Sequence, residues 1–243
     1  MGLSEKGVVI MIVTIHNSKG GVGKTTTTIN LAINLAAAGQ TVLVVDGDFQ
    51  HNATFGFGCD ARPAVHDWIV TGHFNPDRHI RPTLDVLPSA RHPKWWDQST
   101  LDVVMQRFHQ LPAYDWILVD TSPSQSRWVD SLLHMSDAIL IPVDFSLYSI
   151  QGVSELMQEL DRGRVIGLVP VRYDLRNNRS IELLEVLKRA GGTLVAPPIR
   201  VGVDVDRAAQ KGLSMLEYNP RAPLADDYVT LTEWMVNALA EAR

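Results

Sequence analysis

Short continuous apolar runs alternate along the chain with longer segments in which apolar residues recur every three or four positions. A continuous apolar run indicates a strand that is buried on both faces, as in a parallel sheet with helices on either side. Strands are predicted on this basis at residues 8–15, 41–45, 116–120, 138–143 and 164–171, with a shorter one at 84–88. The pattern therefore predicts a sheet packed between helices.

The predicted helices lie between these strands. The first has four apolar residues at helical spacing and a glycine that ends the pattern: Ile29, Ala32, Ile33, Ala36 and Gly39. Others are predicted at residues 65–71, 149–160, 181–190 and 224–239, and from Ser99 with Leu101, Val104, Met105 and Phe108 buried. Strands that alternate with helices predict one α/β domain over residues 1–243, with a doubly wound, mostly parallel sheet flanked by helices.

Composition narrows the class of protein. Hydrophobic residues make up 45% and charged residues 20% of the chain, as in an ordinary globular protein. The one cysteine, Cys59, has no second cysteine with which to form an internal disulfide, which fits a reducing cytoplasm. The net charge of -5 argues weakly against nucleic-acid binding, but residues 162–200 carry eight basic and three acidic side chains. That segment could present a local phosphate-binding face.

Residues 18–26, after the first predicted strand, have the composition of a phosphate-binding loop. Its glycines let backbone N–H groups approach an anion closely, and the following helix adds partial positive charge at its N-terminus. Lys24 can reach the β- and γ-phosphates, Thr25 can place its hydroxyl on Mg²⁺, and the Thr26 hydroxyl suits the α-phosphate. The predicted nucleotide-binding residues are Lys19, Gly20, Gly21, Val22, Gly23, Lys24, Thr25 and Thr26. The loop and its context predict a P-loop NTPase fold.

Carboxylates follow two of the predicted strands. Asp46 and Asp48 come after the strand at 41–45, and Asp120 ends the apolar run 116–119 as in a Walker B motif. The carboxyl ends of the strands form the edge of such a sheet where ligands bind. These carboxylates could hold Mg²⁺-bound water or orient the attacking water. The predicted metal ligands are Thr25, Asp46 and Asp120.

Several motifs resemble those of one family. Residues 19–26, K-G-G-V-G-K-T-T, resemble the deviant Walker A box of the ParA/MinD superfamily. Residues 46–54 are similar to the D-x-D-P-Q-x-N-x-T box of ParA proteins, with Phe49 in place of the proline. Residues 120–124 resemble the family's D-[TA]-P-P-S, with Ser122 at a proline position. The resemblance covers residues 8–240 and is weakest at 55–98.

The resemblance implies an ATPase that uses ATP and Mg²⁺. Lys19 would be the signature lysine, which crosses a dimer interface to the partner's nucleotide, and Asp48 would be required for hydrolysis. The implied catalytic residues are Lys19, Lys24, Asp48 and Asp120. The ATP-bound homodimer would bind double-stranded DNA without sequence preference, and a ParB-like centromere-binding protein would trigger hydrolysis and release. Such a protein would segregate a chromosome or plasmid and would be cytoplasmic and nucleoid-associated, with no membrane partner.

The same resemblance implies that three arginines contact DNA: Arg176, Arg179 and Arg200. A guanidinium suits phosphate because its planar fork donates two hydrogen bonds. The alternative is a solvated, ion-paired surface. Only about ten residues precede the strand that leads into the phosphate loop, which is too few for a domain that reads DNA sequence. DNA binding is therefore expected to be non-specific and sensitive to salt.

Other functions remain open at this stage. A ParA-like ATPase that positions a protein cargo would have the same motifs, and so would a nucleotide-gated DNA-binding scaffold that barely hydrolyses ATP. A MinD-like membrane ATPase is disfavoured because residues 230–243 contain two glutamates and a single basic residue, Arg243. A nitrogenase-type iron protein is disfavoured because Cys59 alone cannot hold a cluster.

Overall fold

A computed structural model describes residues 11–90, 101–145 and 147–241 of the chain. These residues form a seven-stranded sheet with the strand order β3-β4-β2-β5-β1-β6-β7. The strands are β1 (Met11–Ile15), β2 (Val42–Gly47), β3 (Asp77–Arg81), β4 (Leu84–Leu87), β5 (Trp116–Thr121), β6 (Ala138–Asp144) and β7 (Val165–Val171). All neighbouring strands are parallel except β3 and β4. The sheet is therefore mostly parallel, as predicted.

The helices cover both faces of the sheet. They are α1 (Lys24–Ala37), α2 (Asn52–Gly56), α3 (Ala64–Thr71), α4 (Leu101–His109), α5 (Arg127–Met135), α6 (Leu147–Glu159), α7 (Asn178–Gly191), α8 (Asp204–Gln210), α9 (Met215–Tyr218) and α10 (Pro223–Glu241). Alternate residues of a strand point to opposite faces, so one strand contributes to two cores. Val42 and Val44 pack in the core that contains α1 and α10, whereas Leu43 and Val45 pack in the core that contains α3 and α5. The predicted doubly wound arrangement is confirmed.

Strand β1 lies between β6 and β5, the middle strand of the seven. The chain runs from β1 through α1 to β2 on one side, while β6 and β7 extend the sheet on the other side. Ligands of such folds bind beyond the carboxyl ends of the strands, where the strand order reverses. Residues at the ends of β1, β2 and β5 share one register, in which Asp120 lies next to Ile15 and to Asp46.

Some elements differ from the sequence prediction. Strand β3 was not predicted, because its sequence D-R-H-I-R has no apolar alternation; ion pairs of Arg62 with Asp77 and of Arg81 with Glu217 hold it in place. Helix α5 was also not predicted; Ser126 caps it by accepting a hydrogen bond from Val129 N. The predicted burial of Met105 is wrong, since 37% of it is exposed.

Two parts of the prediction lie outside the described residues: the first residues of the strand at 8–15 and the helix start at Ser99. Among the helices that are described, none is long and apolar enough to cross a membrane.

Gly47 provides a test of the β2–β5 register. A Cβ at this position would lie 2.7 Å from the backbone oxygen of Asp120 and 2.8 Å from Cδ1 of Leu132. We expect Gly47→Ala to reduce the free energy of unfolding by about 1–3 kcal/mol, because a backbone atom cannot move aside as a side chain can. Urea unfolding measures this change. The matched control is Gly152→Ala in α6, where no heavy atom lies within 4 Å of the added Cβ. Equal stability of the two variants would contradict the register.

Candidate nucleotide-binding site

The loop between β1 and α1 has the conformation that its glycines allow. Gly21 and Gly23 have φ values of 73° and 81°, in the left-handed region that favours glycine. Gly23 is also the N-cap of α1, so the backbone N–H groups of the first helical turn face the loop. Such a turn is a ready anion site, because these N–H groups have no partner within the helix.

Lys24 is a buried cation at the base of this loop. Its Nζ donates hydrogen bonds to the backbone oxygens of Asn17, at 3.0 Å, and Lys19, at 3.1 Å. Burial lowers the pKa of Lys24, while the Asp120 and Asp48 carboxylates act in the opposite direction. The ammonium group is thus held beneath the loop, where a phosphate would be bound.

The structure brings Thr25 and Asp120 together. Thr25 Oγ1 donates to Oδ2 of Asp120 at 2.7 Å, and Thr28 Oγ1 lies 3.3 Å from Oδ1. Asp120 is completely buried. A hydroxyl and a carboxylate in contact at the start of α1 form a donor set of oxygens, which suits Mg²⁺.

Asp46 and Asp48 have different positions although they are two residues apart. Asp46 is completely buried, and both of its carboxylate oxygens accept hydrogen bonds from its own loop: from Asp48 N at 3.1 Å, and from Thr54 N and Oγ1 at 2.8 and 2.6 Å. Asp48 instead lines the cavity beside the phosphate loop, and its Oδ1 accepts from Gln50 N at 2.9 Å. Asp46 supports this loop, and Asp48 faces the cavity.

The two buried carboxyls at the ends of β2 and β5 both have a raised pKa. Burial is the main cause that raises the pKa of Asp46 to about 7 and that of Asp120 to about 8. The negative charge of Asp46 raises the pKa of Asp120 further, whereas the hydrogen bond from Thr25 lowers it. Without a cation, both carboxyls therefore keep a proton up to a higher pH than an exposed aspartate does.

Lys19 lies outside its own phosphate cavity. Its Nζ is 3.0 Å from both carboxylate oxygens of Asp144, at the end of β6. Its backbone N donates to Oδ1 of Asn17 at 2.9 Å. The lysine side chain is 40% exposed, so it lies at the surface.

Two cavities of about 340 Å³ each lie next to one another at this edge of the sheet. The first contains the phosphate loop and is lined by Gly20, Gly21, Gly23, Lys24, Thr25, Thr26, Asp48, Gln50, Asn52, Pro123 and Arg172. The second is more apolar than the first: it includes Val171, Val201, Val203, Val205 and Tyr228, beside the charged Arg172, Arg200 and Asp206. Both share Gly23, Thr26 and Arg172, so the two cavities adjoin. An anion-binding end beside a more apolar end fits a nucleotide.

Phe49 and Ser122, which replace prolines of the family motifs, each have a nearby contact. The Phe49 ring lies 6.3 Å from the ring of Trp128, whose Nε1 donates to Gly47 O at 3.0 Å. The hydroxyls of Ser122 and Ser124 are 2.6 Å apart. Phe49 thus packs where it helps to fix the end of β2.

The three arginines that were implied as DNA contacts lie in different surroundings. Arg176 is exposed, and its Nε and Nη2 donate to Oδ1 and Oδ2 of Asp174 at 3.0 and 3.2 Å. Arg179 is exposed in the first turn of α7. Arg200 lines the apolar cavity and forms two hydrogen bonds of 2.7 Å with Asp227. Sequence reasoning did not identify Arg172, Gln50, Asn52 and Pro123 as cavity residues.

Comparisons with known proteins identify the family. Residues 10–165 match a family model described as an AAA domain. The chain is 31% identical to sporulation initiation inhibitor protein Soj of Bacillus subtilis, over 91% of this chain and 96% of Soj. It is also 29% identical to the chromosome-partitioning ATPase Soj of Thermus thermophilus, over 95% and 97% of the two chains. The chain belongs to the ParA/Soj family of ATPases.

Solved structures share the fold. Cyanothece McdA superposes with a TM-score of 0.81 at 20% identity, over 93% of this chain and all of that chain. MinD of Pyrococcus horikoshii, in complex with Mg-ADP, gives a TM-score of 0.78 at 20% identity, over 97% and 99%. This member of the ParA/Soj family is therefore a P-loop ATPase, and its Lys24, Thr25 and Asp120 fit ATP and Mg²⁺.

The raised carboxyl pKa values predict how stability depends on pH. Between about pH 4 and pH 8, folded protein without nucleotide retains protons on Asp46 and Asp120 that the unfolded chain has released. The contribution of these groups to the free energy of unfolding should therefore fall as the pH rises through this range. Thermal unfolding at about pH 5 and about pH 9 measures it.

The matched variants are Asp120→Asn and Asp46→Asn, which cannot titrate. Each should make the unfolding temperature less dependent on pH than in the wild type. If both variants keep the full wild-type dependence, the raised pKa values are wrong.

Proposed function

We propose that this chain is an ATP-dependent DNA-partitioning ATPase, formed by one domain over residues 1–243. ATP would join two chains in a sandwich dimer, and the dimer would bind double-stranded DNA without sequence preference. The observation that carries the proposal is the position of Lys19. It belongs to the phosphate loop, but in the part of the chain that the structure describes it does not line the phosphate cavity, and its Nζ pairs with Asp144.

The chain's residues have separate roles in the proposed hydrolysis of ATP to ADP and phosphate. The loop N–H groups and Lys24 bind the β- and γ-phosphates. Mg²⁺, held by Thr25 and Asp120, would neutralise charge on the phosphate oxygens. Asp48 orients the attacking water from the cavity wall, and Asp46 keeps the Asp48 loop in place through its hydrogen bond to Asp48 N.

In the dimer, Lys19 would leave Asp144 and contact the nucleotide of the partner chain. The cost of this exchange is small, because a partly exposed ion pair contributes only about 0–1 kcal/mol. A phosphate group offers Lys19 a stronger anionic partner in a site that excludes water. A sandwich dimer would thereby form with ATP and separate after hydrolysis.

We propose Arg176 and Arg179 as contacts to DNA phosphates. Both are exposed, and the ion pair of Arg176 with Asp174 lies at the surface, where phosphate can replace the carboxylate. Arg200 is less suited to this role, since its pair with Asp227 forms part of the apolar cavity wall. A ParB-like protein would trigger hydrolysis and release the dimer from the nucleoid.

Binding to a random-sequence duplex tests the proposal. Wild-type protein should bind DNA with ATP but not with ADP, and the affinity should fall steeply with salt. Lys19→Ala should abolish the effect of ATP. An Arg176→Ala/Arg179→Ala variant should lose about tenfold or more in affinity and show a smaller salt dependence, because two phosphate contacts are removed.

The matched control is Lys188→Ala/Arg189→Ala, which removes the same charge from the other end of α7 and should bind nearly as wild type. Binding that is absent, or equal with ATP and ADP, would contradict the partitioning proposal. An ATPase that acts on a protein client would then be the better account.

A further inference from the structure

Arg172 lies where the two cavities of the site meet. It follows the last residue of β7 and lines both the phosphate cavity and the apolar cavity. The end of β7 also packs against the phosphate loop, since a Cβ at Gly23 would lie 3.9 Å from Cγ2 of Val171. Arg172 therefore lies beside Gly23 and Thr26, where the two cavities adjoin.

The backbone of Arg172 is in a conformation that is uncommon for a residue with a side chain. Its φ is 61°, in the left-handed region. The next residue is fixed on both sides, because Tyr173 N donates to Ile199 O and Tyr173 O accepts from Val201 N. Such strained positions persist where the surrounding structure enforces them, and they cluster at ligand sites.

The charge of Arg172 has no carboxylate partner among the described residues. Within residues 11–90, 101–145 and 147–241, its side chain forms neither a salt bridge nor a hydrogen bond, in contrast to Arg176 and Arg200. An exposed guanidinium at the wall of a phosphate cavity has donors available for an anion. The anion that the proposed function brings there is a nucleotide phosphate.

We propose that Arg172 binds the α-phosphate of the nucleotide held by its own chain, next to the Thr26 hydroxyl. This inference rests on the proposed nucleotide site but not on DNA binding or dimerisation. Because ATP and ADP both have an α-phosphate, Arg172 contributes equally to the affinity for both. It differs in this respect from Lys19, whose proposed contact is with the nucleotide of the partner chain.

Calorimetric titration of ADP and of a non-hydrolysable ATP analogue tests the inference. The variants are Arg172→Gly, Arg172→Lys and the control Arg189→Ala. Glycine removes the side chain and adopts a φ of 61° without strain, so the backbone should keep its conformation. Arg172→Gly should weaken both nucleotides by a similar factor, about tenfold or more. Arg172→Lys should lose less, and Arg189→Ala, which changes an exposed arginine outside both cavities, should bind as wild type.

Each other outcome has a definite meaning. Unchanged binding by a folded Arg172→Gly variant would overturn the inference. A loss confined to the ATP analogue would overturn the α-phosphate assignment, because the contact would then be to the γ-phosphate. If Arg172→Gly does not fold, Arg172→Lys decides: similar losses of affinity for ADP and for the ATP analogue support the inference, and unchanged affinity or a loss confined to the analogue overturns it. Wild-type protein that binds neither nucleotide would overturn the nucleotide site itself, which is a failure of the proposed function.

Discussion

The site depends on the burial of one carboxylate, Asp120, at the end of a central strand. A buried charge is costly unless its environment compensates for it. Here the compensation comes from hydroxyls of Thr25 and Thr28 and from the nearby charge of Lys24. All three belong to the first turns of α1, so Asp120 fixes how the phosphate loop meets the sheet. The raised pKa of Asp120 indicates that this compensation is incomplete until a cation is bound.

Asp46 forms a second layer behind this arrangement. It lies next to Asp120 in the sheet register, and its hydrogen bonds to Asp48 and Thr54 hold the segment after β2. Gly47, which lies between Asp46 and Asp48, allows the close packing of β2 on β5. A strand end, a glycine and a buried acid thereby determine where Asp48 lies relative to the phosphates.

Local motifs were enough to predict the loop and its acids, because Lys24, Thr25 and Asp120 are marked by their immediate neighbours in sequence. Strand β3 could not be predicted, since polar residues at a sheet edge leave no periodic pattern. Arg172 and Asp144 could not be assigned either. Each follows or ends a strand whose place beside the phosphate loop is known only from the sheet topology. For Arg200, the sequence showed a charge but not its partner Asp227.

The central claim is that ATP joins two chains through Lys19. Molar mass in solution, measured by light scattering with ATP or ADP, tests it in the Asp48→Ala background, where hydrolysis should not remove the ATP. Asp48→Ala should be dimeric with ATP and monomeric with ADP. Asp48→Ala combined with Lys19→Ala should still bind ATP but remain monomeric. A dimer that persists without Lys19, or a protein that stays monomeric with ATP when Lys19 is present, would contradict the account.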